Sequence, residues 1–174
     1  MTATQADLHI DRPTVADGSV LWRIAKDSGA LDLNSSYSYL LWCRDFAGTS
    51  VVVRDERGEP VGFVTGYVPP DRPGTLLVWQ VAVDAAQRGR GLAARMLDGL
   101  TARVAAEYGV TEIETTISPG NTASERLFAS YAERHGAAVD RTVLFEAGDF
   151  PDGPHDPEVL YRIGPLRVQD ASDR

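Results

Sequence analysis

Several whole classes of protein are excluded by what this chain lacks. It has one cysteine, Cys43, so neither an intrachain disulfide nor a cysteine-rich zinc site is available. No apolar run approaches the length of a membrane span, and the longest uninterrupted ones are strand-sized. The opening residues, MTATQADLHIDRPT, have neither the basic n-region nor the apolar h-region of a secretory signal. We find no internal repeat, no low-complexity tract and no linker. Positive charge is also short: 17 Lys and Arg stand against 25 Asp and Glu, a formal net charge of −8. A chain of that sign has no bulk attraction for a polyanion. Neither nucleic acid nor membrane is expected as a partner, and a cytoplasmic protein is the simplest expectation.

What is present is ordinary for a globular protein. The 174 residues, 43% apolar and 24% charged, suit one domain with a real core. We expect a single domain over 1–174, with its core at about residues 8–165. Residues 1–6 and the last eight, RVQDASDR, are expected to fray.

The periodicity then alternates. LHIDR reads as a short strand, and Thr14 with Asp17 resembles a capping box ahead of a helix carrying Val20, Leu21, Ile24 and Ala25, with Gly29 at its end. After the loop ALDLNSS, Ser35 or Ser36 caps a second helix, YSYLLWCRDF. SVVVRD and VGFVTGYV form a hairpin, and TLLVWQVAVD is a strand apolar enough to lie centrally. LAARMLDGLTARVAAEYG is helical, VTEIETTIS a strand, and GNTASERLFASYAERHG a helix with Asn121 near its start. AAVDRTVLFE and EVLYRI close the chain as strands around the loop AGDFPDGPHDP. The order β-α-α-β-β-β-α-β-α-β-β predicts an α/β protein with a mixed sheet.

One segment carries chemistry in its composition. QRGRGLAARML, residues 87–97, puts two glycines and two arginines between the apolar strand and a helix. Amides at a helix N-terminus have no intrahelical partners, and the helix dipole adds partial positive charge. Glycine lets backbone approach an anion closely. Such a place suits a phosphate or pyrophosphate. It matches neither a Walker loop nor the dinucleotide fingerprint. A glycine-rich connection with two solvated arginines is the bland alternative.

The residues Arg88-Gly89-Arg90-Gly91-Leu92-Ala93 match the R/Q-x-x-G-x-G/A signature, and the chain resembles the GNAT acyl-CoA-dependent N-acetyltransferases. The resemblance spans about residues 8–165. It implies a mixed, mostly antiparallel central sheet flanked by helices on both faces, and acetyl-CoA as co-substrate. It further implies that Arg88 to Ala93 hold the CoA pyrophosphate through main-chain amides. Gln80, Val81, Ala82 and Val83 would pair with the pantetheine, and Asn121 would contact that arm. LDLNSSYSYLLWCRDFAGTSVV, GFVTGYVPP, LLVWQVAVD, ETTISPGN and FPDGPHDPEVLYRI together resemble the L-2,4-diaminobutyrate acetyltransferases of ectoine biosynthesis. That implies acetyl transfer to the γ-amino group, and a homodimer. One position departs from the superfamily: seven residues after Asn121, where many members carry a tyrosine as general acid, stands Phe128. Tyr131 is nearly a turn further on.

A diamino acid needs an acceptor for its α-ammonium, donors for its carboxylate, and a route for the γ-ammonium proton. Asp32 is the candidate for the α-ammonium; a solvated loop aspartate is the alternative. Tyr37 and Tyr39 offer hydroxyls, but two residues apart on a helix they cannot share a face. Trp79 is either a core indole or a ring against the substrate. Glu114 is a candidate proton acceptor or a paired strand carboxylate. Glu158 is the favoured anchor or base, with His155 orienting it from the late loop. Cys43 reads as a buried filler. The expected reaction is direct transfer, with the oxyanion received by a strand amide near Gln80 or Val81 and no metal. A GNAT enzyme for another amine, or a CoA-binding module without catalysis, remain the competing readings.

Overall fold

The apolar period changes where the elements change. Strand β1 spans His9–Asp11, helix α1 Gly18–Ser28, helix α2 Ser36–Asp45, strand β2 Val51–Arg54, strand β3 Pro60–Tyr67 and strand β4 Thr75–Val83. Helix α3 follows at Leu92–Tyr108, strand β5 at Glu112–Ile117, helix α4 at Thr122–His135, and strands β6 and β7 at Ala138–Phe145 and Glu158–Gly164. This computed structural model describes residues 8–167. The ends expected to fray, residues 1–6 and all but the first of 167–174, lie outside them.

The element order is the one that the periodicity predicts. Strands run β1-β2-β3-β4-β5-β7-β6, so the most continuously apolar strand, β4, takes the central place. The β1–β2, β2–β3, β5–β7 and β6–β7 pairs are antiparallel, and β4–β5 is parallel. Among the described residues no helix is long and apolar enough to cross a membrane.

The chain divides into two compact units. The first holds residues 8–67 together with Trp79–Leu100. Its core gathers Leu21, Ile24 and Ala25 of α1, Tyr39 and Cys43 of α2, and Val52, Phe63 and Ala82 of the strands. Thr14 and Asp17 do form a capping box, but on a 3₁₀ turn, Val15–Asp17, that leads into α1. The Thr14 amide donates to Asp17 Oδ2 at 2.7 Å, and Arg54 of β2 donates to both carboxylate oxygens at 2.8 Å. Burial works against ionisation of Asp17, yet the bonds from Arg54 and Thr14 outweigh it and hold the carboxyl below its ordinary value.

The second unit holds Val68–Val78 and residues 101–167. The first half of β4 pairs there with β5, from Thr75↔Glu112 to Val78↔Thr115. Ile113, Ile117, Phe128, Tyr131, Ala132 and Ile163 are buried. Strand β6 ends the sheet order, and every residue from Asp140 to Phe145 is exposed.

Candidate active site

In the first unit, the second half of β4 is wired to one side only. The Gln80 amide donates to Thr65 Oγ1 at 3.2 Å, and the Asp84 amide to the Val61 carbonyl at 2.8 Å, both on β3. Backbone groups alternate along a strand, so the Val81 and Val83 amides point to the opposite edge. Pairing with β5 stops at Val78. An extended polar chain could therefore add to this edge through Val81 and Val83.

The strand then runs into the glycine segment. Asp84 caps a 3₁₀ turn, Ala85–Gln87, by accepting from the Ala86 amide at 3.1 Å. Arg88 Nε donates to the Val83 carbonyl at 3.4 Å, and the Arg90 guanidinium bonds the Gln87 side chain. Gly89 and Gly91 have φ of 77° and 69°, the left-handed region, and beyond each absent Cβ no heavy atom lies within 4 Å. The bond from the Arg95 amide to the Gly91 carbonyl, 3.1 Å, begins the helical ladder of α3. The amides of Leu92, Ala93 and Ala94 precede it and have no intrahelical acceptor. Open backbone, unladdered amides, a positive helix end and two exposed guanidiniums together fit a diphosphate.

Beside β4 the same unit assembles an aromatic wall. Trp42 of α2 stacks on Trp79 of β4 with centroids 4.8 Å apart. Phe46 lies 4.8 Å and Tyr67 6.0 Å from the Trp42 ring. All four rings are partly exposed. Sequence reading singled out Trp79 and missed Trp42, Phe46 and Tyr67. The i, i+4 spacing of Trp42 and Phe46 was the available signal.

Tyr37 is 66% exposed and Tyr39 fully buried, as the helical spacing requires. The Tyr39 hydroxyl donates to Gln80 Oε1 at 3.0 Å, so Tyr39 acts from inside the core. Asp32 is exposed in the α1–α2 loop. Its backbone carbonyl accepts from Gln80 Nε2 at 3.0 Å and Asn34 Nδ2 at 3.3 Å, bonds that do not involve the carboxylate. Cys43 is buried, and burial above all, with the Asp17 charge, pushes its thiol up to about 11.

In the second unit, Glu114 is only 2% exposed. Its Oε1 accepts from Arg162 Nε and Nη2 at 3.0 and 2.8 Å, and its Oε2 from Arg72 Nη2 at 3.3 Å. Both oxygens are thus engaged by guanidinium donors, an arrangement that favours the reading of a paired strand carboxylate. Glu158 opens β7, half-buried, with Oε1 accepting from Ser118 Oγ at 3.2 Å. His155 stacks on Phe150 at 3.7 Å between centroids, and its Nδ1 bonds the Asp156 carbonyl. A carbonyl only accepts, so Nδ1 is the donor of this bond. Asn121 Oδ1 caps α4 through the Ser124 amide at 3.2 Å. Phe128 is buried in this unit. Among the described residues no group of three His, Cys, Asp or Glu is placed to hold a metal ion.

A sequence profile for the acetyltransferase (GNAT) family matches residues 20–132. An L-2,4-diaminobutyric acid acetyltransferase from Streptomyces avermitilis is 76% identical, over 95% of this chain and 99% of its own. One from Streptomyces coelicolor is 74% identical, over 95% of this chain and 98% of its own. Among solved structures, the chain is similar to diaminobutyrate acetyltransferase EctA from Paenibacillus lautus, in complex with its substrate L-2,4-diaminobutyric acid and coenzyme A. The TM-score is 0.86 at 43% identity, covering 92% of this chain and 96% of that one.

Proposed function

The chain belongs to the acetyltransferase (GNAT) family, and from that membership we infer that it moves the acetyl group of acetyl-CoA onto L-2,4-diaminobutyrate. The observation that carries this reading is the run of amides from Val81 to Ala94. The edge of β4 receives an extended amide-bearing arm, and the start of α3 receives a diphosphate at its end. Pantetheine and pyrophosphate have these shapes in this order. Arg88, Gly89, Arg90, Gly91, Leu92 and Ala93 form the phosphate end; Val81 and Val83 pair with the arm. The Asn121 oxygen is committed to its helix cap, so the amide nitrogen is the end suited to a pantetheine carbonyl.

The acetylated nitrogen is the γ-amine. Asp32 takes the α-ammonium and Trp79 lies against the carbon chain, with Tyr37 at the rim. Glu158, oriented by Ser118 and assisted by His155, accepts the γ-ammonium proton. The neutral amine then attacks the thioester carbonyl, and collapse of the tetrahedral intermediate breaks the C–S bond and expels CoA as its thiolate, which takes up the remaining proton of the attacking nitrogen. The Gln80 amide is occupied by Thr65, which leaves Val81 to donate to the oxyanion. Glu114, with both oxygens held by Arg162 and Arg72, is a paired strand carboxylate rather than the base. The product, Nγ-acetyl-L-2,4-diaminobutyrate, serves ectoine biosynthesis in the cytoplasm, where acetyl-CoA is supplied.

The working unit is a homodimer. Val143, Leu144 and Phe145 are 51%, 42% and 48% exposed, and the register of β6 shifts between Val143 and Phe145, so this irregular end of the outermost strand presents apolar groups to water. A second copy would cover them, which sedimentation of the enzyme beside a Leu144→Glu variant tests. The activity is tested by following CoA release with diaminobutyrate and with mono-amines lacking the γ-nitrogen, and locating the acetyl group by NMR. Release with diaminobutyrate and γ-acetylation are expected; exclusive α-acetylation would reverse the pose.

A further inference from the structure

The side chain of Gln80 leaves the central strand and ends among groups that do not belong to the sheet. Its Oε1 accepts the Tyr39 hydroxyl at 3.0 Å, and its Nε2 donates to the Asp32 carbonyl at 3.0 Å. Tyr39 is fully buried and Gln80 4% exposed, so water does not compete for these bonds. The segment between α1 and α2 has no ladder of its own; besides this bond, Asn34 Nδ2 reaches the same carbonyl at 3.3 Å. A loop tip is ordinarily the most mobile part of a chain. Here its backbone is tied at Asp32 itself, while the Asp32 carboxylate stays exposed.

The main chain of the same residue is also fixed. The Gln80 amide is bonded to Thr65 Oγ1 at 3.2 Å, which sets the register of β4 at this point. The next residue, Val81, turns its amide to the open edge. One residue therefore joins the strand that receives the thioester to the loop that carries Asp32. An amide side chain suits this position because it can accept from a phenol at one end and donate to a carbonyl at the other. Glutamate would face the Asp32 carbonyl with an acceptor, and a shorter asparagine would not span both partners.

We propose that Gln80, buttressed by Tyr39, is a positioning residue that sets where the Asp32 carboxylate stands relative to the acetyl-accepting edge of β4. It thereby governs diaminobutyrate binding and the choice between the two amines. This rests on the reading of Asp32 as the anchor for the α-ammonium. Gln80 itself touches no reacting atom. Its effect reaches the reaction through the loop, because misplacing a bound amine by about 1 Å can cost on the order of 100-fold in rate.

Gln80→Met keeps the length of the side chain and removes both bonds. We expect the KM for diaminobutyrate to rise at least tenfold, with the KM for acetyl-CoA changed less than twofold. A measurable fraction of α-acetylated product should appear by NMR. Tyr39→Phe removes the phenol's bonds to Gln80 and to Asn34 of the loop and should raise the diaminobutyrate KM about threefold, again without moving acetyl-CoA. It is the test to use should Gln80→Met not fold. In an Asp32→Asn background, Gln80→Met should add less than twofold to the diaminobutyrate KM, because the two act through one contact. An unchanged diaminobutyrate KM in Gln80→Met, or equal losses for both substrates, would overturn the proposal. So would full additivity with Asp32→Asn. If Asp32→Asn alone leaves diaminobutyrate binding untouched, the reading of Asp32 fails instead, and that result is seen separately in the single variant.

Discussion

Trp42 of α2 lies face to face with Trp79 of β4, ring centroids 4.8 Å apart and planes 17° from parallel. The stack covers one face of the Trp79 indole with another ring, and Trp42 is itself flanked by Phe46 and Tyr67. Such a pair contributes about 0.5–1.5 kcal/mol beyond the area it buries. It also fixes the plane of the Trp79 ring, the one proposed to lie against the substrate.

Trp42→Leu keeps an apolar group on α2 and removes the stack. The expected result is a loss of about tenfold in kcat/KM for diaminobutyrate, with the acetyl-CoA KM unchanged. Tryptophan emission should shift to the red as Trp79 gains water. Wild-type kinetics in a variant with red-shifted emission would remove the Trp42–Trp79 pair from the substrate wall.

Gly91 has φ of 69° with open space where a Cβ would stand. Gly91→Val forces a β-branched residue into the left-handed region, at a cost of about 1–2 kcal/mol. It also fills the space proposed for the pyrophosphate. The acetyl-CoA KM should rise at least tenfold in a variant that still folds. A melting point lowered by strain alone, with acetyl-CoA dependence intact, would separate the loop from the ligand.

Glu158 and Ser118 meet at 3.2 Å. Glu158→Gln conserves shape and removes the proposed acceptor of the γ-ammonium proton; roughly a 10²–10⁴-fold loss in kcat/KM is expected. Ser118→Ala deletes one orienting bond and should cost about threefold to tenfold. A fall mainly in kcat identifies a base, and a rise mainly in KM an anchor. Activity of Glu158→Gln within about threefold of wild type, under 1 kcal/mol, would exclude both roles.

Asp17 and Arg54 form a largely buried pair, and the Asp17 carboxyl is lowered from its ordinary value of 3.8. A depressed carboxyl stabilises the fold above its unfolded value, and that stabilisation disappears as pH falls through the lower folded value. Asp17→Asn should therefore destabilise by about 3 kcal/mol at neutral pH, the low end for a broken buried pair. The deficit relative to wild type should shrink as pH drops below about 4. Denaturant melts at pH 7 and pH 3 check this; an equal deficit at both would assign the loss to packing rather than charge.

Elements were legible in the sequence because their causes are local. Leu21, Ile24 and Ala25 recur at helical spacing, and the helix ends expected at Gly29, Gly109 and Gly136 fall at glycines with φ of 63°, 70° and 58°. The segment proposed for the pyrophosphate was legible as a unit for the same reason: its glycines, arginines and helix start are consecutive residues. The Thr14–Asp17 box was legible as a motif ahead of α1, but the 3₁₀ turn between them was not, since spacing alone does not separate such a turn from the helix that follows it.

What the sequence by itself determined was the order of elements, the centrality of β4 and the glycine-arginine start of α3. Only the tertiary structure decided which side chains share a partner. Gln80 bonds Tyr39 and Asp32 across 41 and 48 positions, Arg54 reaches Asp17 across 37, and Glu114 meets Arg72 and Arg162 across 42 and 48. No periodicity extends over such separations. These pairings depend on strand register, and a slip of one residue would turn Gln80 and Glu114 to the opposite face and dissolve every one of their bonds.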